Sequence, residues 1–182
     1  GIASAFLFTL GPDFISRPWS LLTSVYAHAS LPHLLSNALA LALVGFLLER
    51  HTTRARFHLY FLTTGVLAGL VEVLLGGFLA VLLGGRVPLV LGASGAVFAL
   101  YGYAFAGNRL TDTIVDAFSI PPNVQFAIFV VVAALVTWAT GSPGVALLAH
   151  FTGFLLGLAA GRLGLLDAPD HATDAHDRNA TF

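Results

Sequence analysis

The sequence predicts an all-α membrane protein, a bundle of six transmembrane helices whose first member is cut short in this chain. Three observations lead there. Of 182 residues, 57% are apolar and only 9% charged, with a mean hydropathy of +0.88; a soluble domain of this size carries roughly a quarter charged residues. Five long apolar segments alternate with short polar or Pro/Gly-rich stretches. None shows the period-2 alternation of barrel strands. Since only helices and closed barrels satisfy their backbone polar groups in lipid, helices are expected.

The elements follow in order. "GIASAFLFTL" opens the chain, and ten residues fall short of the roughly 20 that a span requires, so it reads as the remnant of a first span. A first residue Gly and the absence of Met are what a processed or trimmed chain would show. Apolar segments then run from Pro32 to Leu48, Phe57 to Leu83, Ser94 to Gly107, Val124 to Thr140 and Val145 to Leu166, separated by "ERHTTRAR", "GGRVP", "NRLTDTIVD" and "GSPG". Residues 1–166 form one domain. The acidic stretch 167–182 is expected to be a disordered tail. With a net charge of −1, nothing suggests a nucleic-acid partner. No cysteine is present, which excludes disulfides, thiolate metal sites and a cysteine nucleophile.

Arginines set the expected orientation. With six spans, Arg50, Arg54, Arg56, Arg109 and Arg162 fall on one side, and Arg17 and Arg86 on the other. The positive-inside rule makes the five-arginine side, and the tail with it, cytoplasmic.

Polar groups inside spans are costly and are functional candidates by default. Counting helical rise from each cytoplasmic end places His33 roughly 24 Å up, Asn37 and His150 roughly 18 Å, and Ser94 roughly 21 Å. In a core of about 30 Å these four occupy one thin slab beneath the outer face. A helix from Ser94 to Gly107 is only about 21 Å long, so it must begin below the surface, with "GGRVPLVLGA" dipping in to meet it. Its N-terminus exposes unpaired N–H groups and partial positive charge, and Gly92 and Gly95 let a substrate backbone approach. A serine there sits where a nucleophile beside an oxyanion hole would. By itself Ser94 reads first as a helix cap or a packing residue, and His150 as readily as an interhelical hydrogen bond. Gly153, Gly157 and Gly161 form a small-residue stripe after His150, matched by Gly95 and Ala99, which allows the two helices to approach closely. That approach brings hydroxyl and imidazole within reach of each other. His33 and Asn37, at i and i+4, share a face and can both donate to an oxyanion. With no carboxylate in the slab on these helices, the pattern is a Ser–His dyad. His28 and His33 lack a third ligand at metal spacing, and HExxH is absent. Glu72 is read as a mid-span interhelical hydrogen bond or a partly protonated acid without a catalytic role. His171, His176 and the "NAT" at Asn179 in the tail carry no role.

"HASLPHLLSN" resembles the HxxxxHxxxN signature of rhomboid intramembrane serine proteases. "GASG" resembles their GxSG motif, and "AHFTGFLLGLAAG" their last-helix His and glycine stripe. The resemblance runs from about Arg17 to Arg162. It implies a six-helix fold and cleavage of transmembrane substrates without metal or cofactor. Ser94 would be the nucleophile, His150 the base, and His33, Asn37 and Gly92 the lining of the oxyanion and substrate site, with His28 structural. Two features depart from the family pattern: Trp19 is followed by Ser20 where Arg is common, and Phe98 stands where a tyrosine often packs on the catalytic His. The expected partners are transmembrane proteins within a lipid bilayer, and the expected location is the cell membrane with the site facing outward. The rival readings are an inactive relative that binds membrane clients, and a small proton-coupled transporter. The transporter predicts inverted repeats and polar residues continuing to the cytoplasmic side; neither is seen.

Overall fold

The computed structural model describes residues 7–141 and 146–167. Most of them lie in seven helices: α1 (Ser20–Tyr26), α2 (Leu31–Leu48), α3 (Arg54–Leu83), α4 (Ser94–Ala106), α5 (Arg109–Ala117), α6 (Pro122–Ala139) and α7 (Leu147–Arg162). Among the described residues the extended pairing is confined to a single antiparallel bridge, Leu10 to Val90. The five apolar segments expected from the sequence are the five helices α2, α3, α4, α6 and α7. Three are long and apolar enough to cross a membrane: α2 and α6 at 18 residues each and α3 at 30. As expected, α4 is shorter, at 13 residues, or about 20 Å.

Local chemistry sets the boundaries. Ser30 caps α2 by accepting from the His33 N–H at 3.3 Å, with Pro32 in the first turn, where its missing N–H costs nothing. Thr53 caps α3 through the Arg56 N–H at 3.3 Å, and Asn108 caps α5 through the Thr111 N–H at 2.9 Å. α3 stops at Gly84, whose φ of +73° suits glycine best. Within α3, residues Glu72–Gly76 form a π-helical turn.

Two helices were not foreseen. α1 lies in the stretch before the first motif and packs on α3. α5 occupies the "NRLTDTIVD" stretch, expected as a polar separator. The postulated remnant of a first span also differs in part: Leu10 is fully buried in the extended bridge to Val90 and not helical. Residues 1–6 and the tail from 168 on, with His171, His176 and Asn179, lie outside the described residues.

α4 sits at the centre, touching α2, α3 and α7. Val97, Leu100 and Tyr103 of α4 pack with Val44, Leu48 and Phe61. Tyrosines tie neighbouring backbones together: Tyr60 Oη donates to the Ala99 carbonyl at 3.2 Å, and Tyr101 Oη to the Ala40 carbonyl at 3.1 Å. At the arginine-rich end, Arg162 of α7 pairs with Asp112 of α5, and Arg56 donates to the Asp167 carbonyl. At the other end Arg17 Nε donates to Asp13 Oδ2 at 2.7 Å. That bond holds the Asp13 carboxyl below its ordinary pKa of 3.8.

Candidate active site

The site is assembled by the contact between α4 and α7. A Cβ at Gly153 would collide with the carbonyl oxygen of Gly95, and one at Gly157 with the carbonyl of Ala99. At Gly161 it would lie 2.6 Å from the Tyr103 oxygen. The two backbones therefore touch along the whole stripe, as small residues at four-residue spacing permit. Gly95 is confined on its other side as well, where a Cβ would stand 2.7 Å from that of Ala68 on α3. Ser94 and His150 each adjoin this seam.

The loop before α4 runs inward as the short helix requires. Val90 and Leu10 exchange backbone bonds of 2.9 and 3.0 Å, and the Gly92 N–H donates to the Ser24 carbonyl at 2.9 Å. Gly92 has a φ of +132°, and a Cβ there would fall 2.6 Å from Cε1 of His33. The GxSG loop and the α2 imidazole are thus in contact, and any side chain at Gly92 would separate them. Ser94 is the first helical residue, after an Ala93 that provides no side-chain cap. The first backbone bond of α4 joins the Val97 N–H to the Ala93 carbonyl at 3.0 Å. The N–H groups of Ser94, Gly95 and Ala96 accordingly have no partner within the helix.

A cavity of about 640 Å³ lies against this helix start. Its wall contains His33, Asn37, Gly92, Ser94, Gly95, Phe98 and His150. Seven residues from three helices and a loop are brought together, as the depth count expected for His33, Asn37, Ser94 and His150. His150 is buried and stacked on Phe98, with ring centroids 4.2 Å apart and planes 22° from parallel. The phenyl ring thus supplies aromatic packing without a phenol. Nδ1 of His150 is buried without a hydrogen-bond partner, and among the described residues no hydrogen bond joins Ser94 Oγ to His150. Such bonds are often long before substrate binds. Asn37 is buried and donates one amide N–H to the His33 carbonyl at 3.0 Å; the second N–H is available to a ligand. His28 stands behind His33 and outside the cavity wall. Its ring meets that of His33 edge-on at 5.0 Å. Nδ1 of His28 lies 3.1 Å from the Tyr26 carbonyl, which can only accept, so Nδ1 carries the proton. No group of three or more His, Cys, Asp or Glu among the described residues is placed to hold a metal ion.

A further buried polar residue adjoins the site. Glu72 is 8% exposed, and its Oε2 accepts from the Ala149 N–H at 2.9 Å. It makes the interhelical hydrogen bond expected of it, from the middle third of α3. Counting up from Arg54 places Glu72 roughly 27 Å along α3, beside the slab.

Fold and cavity together define a multi-pass helical membrane protein with a polar chamber set among its helices, at the start of a short one. The chain belongs to the rhomboid family: the family model described as Rhomboid domain matches residues 16–166. The chain is also 31% identical over 144 residues to RHOMBOID-like protein 4 of Arabidopsis thaliana, an overlap of 79% of this chain and 33% of that protein. It thus spans about a third of the length of that curated relative.

Proposed function

We propose that this chain is an intramembrane serine endopeptidase that cleaves transmembrane segments near the outer face through Ser94 and His150. The observation that carries the reading is the shared cavity wall. A serine at an uncapped helix start and a buried imidazole face one polar chamber, on two helices whose backbones touch. An inactive client binder has no need of that pairing.

In the proposed reaction His150 takes the Ser94 proton while Oγ attacks the scissile carbonyl. The carbonyl oxygen gains the negative charge. It is met by the backbone N–H groups at the start of α4, with His33 and the second N–H of Asn37 alongside. Collapse breaks the C–N bond, and His150 protonates the leaving amine. Water then attacks the acyl-serine by the same route, releasing the carboxylic acid and restoring Ser94. An intact helix hides its carbonyls, so substrates with weak helix formers near the outer face are favoured. Access is lateral, past α6. On that helix Phe126 and Trp138 are exposed, whereas Phe129 is buried against α7.

The test uses purified protein in liposomes with a panel of transmembrane substrates and a fluorophosphonate probe. Wild type should cleave and label, and Ser94→Ala should do neither at unchanged thermal stability. Equal cleavage by both proteins would sink the proposal.

A further inference from the structure

α7 carries the candidate base, yet its own sequence does not cap it. Ala146 precedes the helix and offers no side-chain acceptor, and the first backbone bond runs from the His150 N–H to the Ala146 carbonyl at 3.1 Å. The N–H groups of Leu147, Leu148 and Ala149 are therefore without partners inside the helix. The partner for the last of them comes from 77 residues away, in the Glu72 carboxylate. The donor, Ala149, immediately precedes His150 and lies over Gly95, whose Cβ would stand 3.6 Å from the Ala149 oxygen.

The local structure around Glu72 fits this contact. Glu72 opens the π-helical turn, a widened turn that shifts side chains relative to the α-helical register and recurs at functional sites. Four residues on, Gly76 leaves room for the carboxyl group: a Cβ there would come within 3.3 Å of Glu72 Oε1, 3.1 Å of Pro88 and 3.5 Å of Leu148. A carboxylate aimed at a helix N-terminus is favoured by the unpaired N–H groups and the helix dipole together. In a membrane protein, where no solvent satisfies such groups, the borrowed acceptor fixes where α7 begins.

We propose that Glu72 is a positioning residue: it caps the His150 helix from α3 and so sets the height and rotation of the imidazole against Ser94. This deepens the protease reading and rests on it. In the proposed arrangement, three contacts hold His150: the glycine seam with α4, the stacked Phe98, and the Glu72 clamp at the preceding peptide.

Three variants test it. Glu72→Leu keeps the bulk and removes the acceptor, Glu72→Gln keeps an acceptor without the charge, and Gly76→Ala keeps the carboxylate but crowds it. The readouts are kcat and KM on a transmembrane substrate, the rate of fluorophosphonate labelling, and hydrogen exchange at the Ala149 amide. Glu72→Leu should lower kcat and the labelling rate about tenfold, with little change in KM and faster exchange at Ala149. Glu72→Gln should recover activity to within about threefold of wild type, because its amide oxygen still accepts. Folded Glu72→Leu protein with wild-type kcat, labelling and exchange would overturn the proposal. If Glu72→Leu does not fold, Gly76→Ala decides: slower labelling at unchanged KM supports the clamp, and wild-type labelling overturns it. Should wild type fail to label in a Ser94-dependent way, the protease reading falls, while exchange at Ala149 still reports on the cap.

Discussion

α4 and α6 are both apolar helices of one bundle, and they are held in opposite ways. α4 buries Gly95, Ala96, Val97, Ala99, Leu100, Gly102, Tyr103 and Ala106, and it meets α7 backbone to backbone. α6 buries only Phe129, Ala133 and Thr137 among its 18 residues and packs mainly against α7. Phe129 and Ala133 reach Phe154 and Leu158 through side chains, not backbone. Where small residues let main chains touch, neither helix can slide without collision, so the relative placement of Ser94 and His150 is rigid. Where bulky side chains span the gap, the helix can tilt by exchanging rotamers. On the protease reading proposed above, the reacting groups lie on the first kind of interface, and the second lies beside the chamber, where a substrate segment would pass.

The most severe way to break this contrast is Gly153→Leu. The new side chain meets the Gly95 carbonyl, which cannot move aside, so the loss should exceed the roughly 1–3 kcal/mol of ordinary overpacking. The expected result is collapse of the thermal transition together with loss of labelling. On the loose side, Phe129→Ala should destabilise by about 2 kcal/mol, below the range for a buried aromatic in a soluble core, because lipid replaces part of the lost packing. Cleavage at temperatures below the transition should be maintained or increased, measured as kcat/KM on a transmembrane substrate. Trp138→Ala, at an 82% exposed position on the same helix, should shift stability by no more than about 0.5 kcal/mol. The smallest effect belongs to the Asp13–Arg17 pair. Because Arg17 holds the Asp13 carboxyl below 3.8, the contribution of the pair is complete above that pH and fades as pH falls through the lower folded value. Asp13→Asn should therefore lower the melting temperature slightly at neutral pH, and the difference from wild type should vanish as pH falls through the acid limb.

The rigid half of this comparison was largely legible in the sequence. Length and apolarity marked α2, α3 and α6, the glycine spacing marked the α4–α7 seam, and rise per residue set Ser94, His33, Asn37 and His150 at one depth. What escaped depends on features that periodicity does not encode. α1 and α5 are too short to produce a convincing pattern. The π turn has no composition of its own. Phe129 cannot be told from Phe126 without knowing which face of α6 meets α7. Glu72 was legible as an interhelical hydrogen bond, but its partner, a backbone N–H at the start of α7, carries no side-chain signal in the sequence.

The bridge between Leu10 and Val90 has a practical corollary. It splices the segment ahead of α1 onto the loop that leads to Ser94, two peptide links before Gly92. Tension applied at Leu10, by a tether or a bound antibody, has a short mechanical route to Ser94. Assays should place their handles elsewhere, and on the protease reading a ligand that pries Leu10 loose would act as a remote inhibitor.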